Sequence, residues 1–398
     1  MEKPAIEGGN PTRKDFLPLS KPTIEDEEIN SVIEVLKSGW LTTGPKVKEF
    51  EENISRYTNS KNSIAFNSCT GALHSTLSAY EIKENDEVIV PTLTFVASAH
   101  VVTWLNAKPV LVDSEEGTFN INTKKIEEKI TPNTKAIIPV HYGGHPCDMD
   151  EINKIAKKHN IRVIEDAAHA IGSEYKNKKI GNIGDVTCFS FYVIKNITTA
   201  EGGMATTNDS LIADKIRKRA YFGVDKDAFD RYKDKGSWYY EVVSQGYKYN
   251  MDSLQGALGV EQLKKLDKFN EKRKQLAEHY IMKFKELDYI KTQEVRPYIK
   301  HSWHLFPILI DFNRLNINRN KFIEALKAEK IGTSVHFIPL HLHPFYQKKY
   351  GYKEGDFPVA EKIYNNLITI PLFPKMGTED VNNVVDAIEK VWNYYKKD

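Results

Sequence analysis

Short apolar runs recur at residues 63–66, 87–90, 109–112, 136–140 and 162–164, with helical patterns between several of them, over 71–80, 97–105 and 148–159. This alternation narrows the fold more than any other feature of the chain. A short run that is apolar throughout reads as a strand covered on both faces, and an intervening helix supplies the cover. Repetition of the β-α-β unit argues for an α/β chain, with a mostly parallel sheet and helices on both faces. In such sheets function gathers at the carboxyl ends of the strands. Residues 67–71, Asp166 and Lys195 each follow a strand-like run.

The 398 residues can hold one large and one smaller domain, and 40% hydrophobic content suffices for a sizeable core. A formal net charge of +2 gives no reason to expect nucleic acid as a partner. Cys69, Cys147 and Cys188 are too few and too scattered for a disulfide framework or a zinc knuckle, so a reducing cytoplasm is the natural setting. The opening MEKPAIEGGNPTRKDF has charges and prolines where a signal peptide needs an apolar stretch. No apolar run approaches the roughly 20 residues that span a bilayer, so no membrane association is expected.

Residues 1–22 read as irregular. A helix is expected after Thr23, with Asp26 as capping partner, an apolar face of Ile29, Val32, Ile33 and Leu36, and Gly39 as its stop. Beyond about Gly256 the composition changes. Residues 260–287 read as a long, charged connecting helix, followed by a strand over 303–311, a helix over 321–330, a strand-loop from Thr333 and a last helix from Thr378. The expected division is an N-terminal arm and large domain over 1–256, then the connecting helix and a smaller α+β domain over 257–398.

Asp166 closes the apolar run IRVIE, and Lys195 stands between another apolar run and a Glu-Gly-Gly turn. An acid at one strand end and a lysine at another suit pyridoxal phosphate. The amine holds the aldehyde as a Schiff base, while the carboxylate pairs with the pyridine nitrogen and keeps the ring an electron sink. Taken singly, a lysine is usually a solvated surface group and an aspartate after a strand is often a helix cap; the pairing is what separates these two. The loop 68–72 precedes a helix, whose N–H groups and positive end suit a phosphate dianion. There Thr70 adds a hydroxyl and Gly71 lets the backbone approach closely. His336, His341 and His343 invite a metal reading, but no nearby cysteine or acidic cluster completes a ligand set, and no metal is expected.

Eight separated words carry a resemblance: LTTGPKVKEFE, NSCTGALH, PTLTFVA, PVHYGGHPCDMDEI, EDAAHAIG, SFYVIKNITTAEGG, GYKYNMDSLQGALG and SVHFIPLHLHPFY. In this order, from about residue 15 to the C-terminus, they resemble the DegT/DnrJ/EryC1/StrS family of pyridoxal phosphate-dependent nucleotide-sugar aminotransferases. The resemblance implies a type I aminotransferase fold, with a mostly parallel seven-stranded sheet in the large domain. It also implies a homodimer with active sites shared between chains, L-glutamate as amino donor and a nucleotide-diphosphate keto sugar as acceptor. By the same resemblance Lys195 is the Schiff-base lysine and Asp166 the partner of the pyridine nitrogen. His169 would bond the phenolic oxygen, Phe95 would stack on the ring, and Ser190 would join Thr70 and Gly71 at the phosphate. Many relatives read GYNYR where this chain reads GYKYN, so Lys248 stands at the asparagine and Asn250 at the arginine position; either could reach the partner chain's phosphate. Thr43, Tyr192 and His336 would line the sugar-nucleotide pocket.

The GYKYN word occurs among relatives that act at sugar C4, including the 4-amino-4-deoxyarabinose branch, and favours C4 over C3 as the aminated position. Two other functions are weaker. Sugar 3-dehydratases of the family replace the lysine by histidine, and Lys195 argues against that chemistry. A regulatory role would tolerate loss of Asp166 or Lys195, and neither is lost.

Overall fold

The structure is a computed structural model that describes residues 2–225 and 238–397. A seven-stranded sheet is built from β1 (Asn62–Phe66), β2 (Glu87–Pro91), β3 (Lys108–Val112), β4 (Thr134–Ile137), β5 (Arg162–Asp166), β6 (Val186–Ser190) and β7 (Gly203–Thr207), in the spatial order β1-β7-β6-β5-β4-β2-β3. All neighbours run parallel except β7, which is antiparallel to both β1 and β6. Alternate side chains serve opposite faces. Ile64, Phe66, Val88 and Val90 pack beneath helices Cys69–Ala79, Ala97–Thr103 and Ser210–Ala220. Ala65 and Ile89 face Pro45–Thr58, Met149–His159 and the long helix Ser253–Phe284. Both faces are covered, as the uninterrupted apolar runs require.

β5 and β6 lie side by side in parallel register, with Asp166 opposite Cys188. Their carboxyl ends therefore open at the same edge of the sheet. That pairing brings the turn carrying Lys195 to Asp166, although 28 residues separate them in sequence.

Past the sheet, the connecting helix begins at Ser253, earlier than the sequence suggested, because Asp252 and Gln255 form a reciprocal capping box. A second core surrounds a three-stranded antiparallel sheet of Ile290–Thr292, Phe306–Ile310 and Leu367–Ile370. Two readings of this region need correction. The strand expected over 303–311 starts only at Phe306, since Trp303 has φ 50° and stacks its ring on His301 at 4.1 Å. The segment from Thr333 adds a single bridge, Ser334 to Thr369, rather than a strand; the edge position is taken by Leu367–Ile370.

The first helix also differs from expectation. It spans Asp26–Ser38 and is capped by Glu25 with Glu28, not by Thr23 with Asp26, although it ends at Gly39 as expected. Its buried residues are Glu28, Ser31 and Val35, whereas Ile29, Ile33 and Leu36 are 49%, 39% and 54% exposed. The helix turns that way because Glu28 is held by Gln262 and Lys265 of the connecting helix. The N-terminal arm packs against the second core and Glu329. Leu17 joins the second core, and the carboxylate of Glu329 accepts the N–H groups of Ala5 and Thr12, both at 2.7 Å. Among the described residues no helix is long and apolar enough to cross a membrane.

Candidate active site

At the carboxyl edge of the sheet lies a cavity of about 480 Å³. Its wall includes Thr70, Phe95, Asp166, His169, Ser190, Tyr192, Lys195 and His336. Eight of the twelve residues singled out from the sequence thus meet in one place. Gly71, Thr43, Lys248 and Asn250 do not line it.

Asp166 is buried at the last position of β5. Its Oδ2 accepts the Ser98 hydroxyl at 2.6 Å and its Oδ1 accepts the Ala168 N–H at 3.1 Å. Ser98 in turn lies 3.0 Å from the Thr94 hydroxyl. No helix starts at Asp166, so the carboxylate is not a cap. Lys195 sits in the turn after β6, where burial draws its ammonium down to about 8 against the upward pull of Asp166 and Cys69. A lysine with that value holds a useful share of free amine near neutral pH.

His169 is fixed by the backbone. The Gly143 N–H donates to its Nδ1 at 3.2 Å, which leaves the ring proton on Nε2. Burial, then Lys195, push this imidazole well below its ordinary value, so it is neutral. Its ring neighbours include His304, at 4.5 Å between ring centroids, and Phe337, at 5.9 Å and nearly parallel. Phe95 leaves 58% of its surface open in the cavity wall, with its ring 5.8 Å from that of Phe337.

The helix Cys69–Ala79 points its N-terminus at the cavity. Ser68 is its cap, and accepts the Gly71 N–H at 3.1 Å. Gly71 packs closely: a Cβ there would meet the Tyr249 ring at 3.1 Å. A close approach of two backbone segments falls at Gly203, the second glycine of the Glu-Gly-Gly turn. A Cβ on Gly203 would lie 2.4 Å from the Cys69 nitrogen and the Ser68 carbonyl carbon.

The remaining expected residues gather elsewhere. Asn250 donates to the Thr43 hydroxyl at 2.8 Å, and Thr43 donates to the Met251 carbonyl at 2.7 Å. Lys248 bridges to Tyr221 and rests its ammonium 4.3 Å over that ring. His341 is bonded to Thr92 and Glu361, and His336 to Thr369, so the histidine-rich loop disperses its imidazoles.

Sequence reading missed Ser98 and His304. Ser98 stands three residues beyond Phe95, one helical turn away, which is a usable signal. His304 was concealed in a segment read as strand; it is buried in the wall with an Nδ1 that has no partner among the described residues.

A buried amine, a buried carboxylate at a strand end, an open aromatic face and a helix N-terminus around one cavity define an enzyme that holds pyridoxal phosphate, and the residues present fit that cofactor. The chain belongs to the DegT/DnrJ/EryC1/StrS aminotransferase family, which it matches over residues 22–389. It is 54% identical to the uncharacterized protein MJ1066 of Methanocaldococcus jannaschii, over 95% of this chain and 98% of that one. It is 47% identical to the spore coat polysaccharide biosynthesis protein SpsC of Bacillus subtilis, over the same shares of the two chains. Its fold is similar to the pyridoxal phosphate form of "putative sugar aminotransferase Spr1654" from Streptococcus pneumoniae, with a TM-score of 0.88 and 33% identity over 95% of this chain and 99% of that chain. The protein is a pyridoxal phosphate-dependent aminotransferase of type I fold.

Proposed function

We propose that the enzyme moves an amino group from L-glutamate to the C4 keto group of a nucleotide-linked 4-keto, 6-deoxy sugar, in the cytoplasm, for a cell-surface polysaccharide or a related amino-sugar product. The similarity to a spore coat polysaccharide protein and to a sugar aminotransferase supports the sugar class. The observation that carries the reaction type is Lys195, part-deprotonated by burial, in one cavity with the doubly hydrogen-bonded carboxylate of Asp166.

When bound, pyridoxal phosphate supplies an aldehyde for the amine and a protonated ring that accepts electrons from the carbon losing its proton. Lys195 would hold it and, as a free amine, would be the group placed to take up and return the substrate's proton. Asp166 would keep the ring nitrogen charged, with Ser98 and the Ala168 N–H holding its two oxygens in place. His169 would offer Nε2–H to the phenolic oxygen. Phe95 would cover one ring face. Thr70, Ser190 and the helix N-terminus would hold the phosphate. Tyr192 and His336 face the sugar nucleotide.

Lys195 is the one cation among the described residues that line the cavity. A phosphate, a dicarboxylate donor and a diphosphate substrate call for more. We infer a homodimer in which the segment carrying Lys248 and Asn250, with Thr43 beside it, serves the partner's cavity. The assignment of position rests on the GYKYN word. Enzyme aminated with glutamate should pass its nitrogen to a 4-keto nucleotide sugar and ignore the 3-keto isomer. Nitrogen located at C3 by NMR of the product would overturn the C4 reading and leave the aminotransferase standing.

A further inference from the structure

The turn VHYGGHPC after β4 is one of the words that mark the family, yet its side chains do none of the chemistry above. Its first histidine, His141, and the residue beside the catalytic aspartate, Glu165, are both fully buried. Glu165 projects from β5 on the face opposite Asp166, so it lies behind the sheet. His141 Nε2 is 2.9 Å from Glu165 Oε2, and His141 Nδ1 accepts the Cys147 N–H at 3.0 Å. An imidazole that accepts at Nδ1 carries its proton on Nε2 and donates it to the carboxylate. The other oxygen of Glu165 accepts the Gly184 N–H at 2.8 Å and the Thr187 hydroxyl at 2.6 Å.

This pair fastens both ends of the turn, since His141 opens it and Cys147 closes it. Between them Gly143 takes φ 65°, a left-handed value that glycine adopts without strain. Its N–H is thereby aimed at His169 Nδ1. Tyr142 donates its N–H to Asn120 at 2.9 Å and its hydroxyl to the carbonyl of His336. One turn thus contacts two histidines of the cavity wall, His169 at its ring and His336 at its backbone carbonyl.

We propose that His141 and Glu165 are positioning residues for His169: the buried pair pins the 141–147 turn, and the turn's Gly143 N–H locks His169 as a neutral imidazole with its proton on Nε2. The consequence for the cofactor rests on the reading of His169 as donor to the phenolic oxygen. A donor there favours the oxygen's anionic form, so its loss should move the pH at which the bound cofactor's visible band changes upward.

Glu165→Gln tests this with little change of shape. An amide facing His141 makes Nε2 an acceptor, which puts the ring proton on Nδ1 against the Cys147 N–H. The opposite amide rotamer sets two donors, the amide and the Gly184 N–H, against each other. His141→Gln is the second variant; it keeps a donor toward Glu165 and removes the acceptor for Cys147. Nitrogen-15 NMR of histidine-labelled full-length enzyme, with and without pyridoxal phosphate, should show wild-type His169 protonated at Nε2 alone. Both variants should mix the tautomers and loosen the cofactor about tenfold, the scale of losing an outer orienting partner. A wild-type His169 protonated at Nδ1, or folded variants that keep the wild-type tautomer, would overturn the proposal. A changed tautomer with an unmoved visible band would support the role of the pair and sink the contact between His169 and the cofactor.

Discussion

Asp166→Asn removes one negative charge from the site and alters almost nothing else. Asparagine can keep Oδ1 on the Ala168 N–H, now at 3.1 Å, and turn its amide toward Ser98, now 2.6 Å from Oδ2. The Ser98 hydroxyl then reverses and donates to Thr94, 3.0 Å away. Every polar atom of the network keeps a partner, so stability should change by less than about 1 kcal/mol. What is lost, on the proposed role of Asp166, is a fixed charge at a buried position that would face the ring nitrogen. Removal of one preorganised electrostatic group from an enzyme site costs about 3–4 kcal/mol, which is about 10²- to 10³-fold in rate. Single-turnover amination by glutamate, followed on the cofactor's visible band, measures that loss, and a thermal melt confirms the intact fold. A rate within tenfold of wild type would refute the reasoning and leave Asp166 as a residue that shapes the turn through Ala168. Ser98→Ala is the companion test. It keeps the charge and removes one orienting hydrogen bond, so it should lose rate by a smaller factor than Asp166→Asn.

Free amine is the attacking species at Lys195, and burial sets that group at about 8. Uptake of pyridoxal phosphate by cofactor-free enzyme should therefore accelerate about tenfold per pH unit below that value and level off above it; a rate indifferent to pH contradicts this, and Lys195→Ala should abolish turnover. Gly203→Ala drives a methyl into the start of the helix that opens on the cavity, and should cost about 1–3 kcal/mol of stability together with weaker cofactor retention by equilibrium dialysis. Full retention at wild-type stability would show that the turn can relax. Glu329→Gln leaves Lys390 and the arm residues Ala5 and Thr12 around a neutral group, and should destabilise the small unit by about 3 kcal/mol and expose residues 2–15 to protease. Burial alone would raise the Glu329 carboxyl, but its donors from Ala5, Thr12 and Lys390 outweigh it and hold the group below the usual carboxylate range. Its contribution is therefore present above that range and lost as pH falls through the lowered value, so arm release measured against pH should track acid and not base.

The α/β class, the strand positions and the residues of the cavity wall were legible because they are written in local terms. A short apolar run flanked by turn residues reads as a buried strand wherever it falls, and chemistry-bearing residues just past such runs stand at strand ends. The same local logic misread the first helix. Ile29, Ile33 and Leu36 form an apolar stripe that the chain by itself leaves exposed, because the ion pair of Glu28 with Lys265 orients the helix against a partner 237 residues away. His304 was missed for a related reason: a backbone break at Trp303, invisible in composition, turns it into the cavity.

By itself, the sequence determined that an acid and a lysine would stand at strand ends of a parallel α/β sheet, because burial pattern and turn chemistry act over a few residues. Tertiary structure alone decided which groups serve them. The parallel register of β5 and β6 sets Lys195 beside Asp166, the helix Ala97–Thr103 delivers Ser98 to the carboxylate, and the turn after β4 delivers the Gly143 N–H to His169. The turn that pins Gly143 is fastened by His141 and Glu165, 24 residues apart. Hydrogen bonds and burial of that kind depend on distance in space, and separation along the chain carries no record of it.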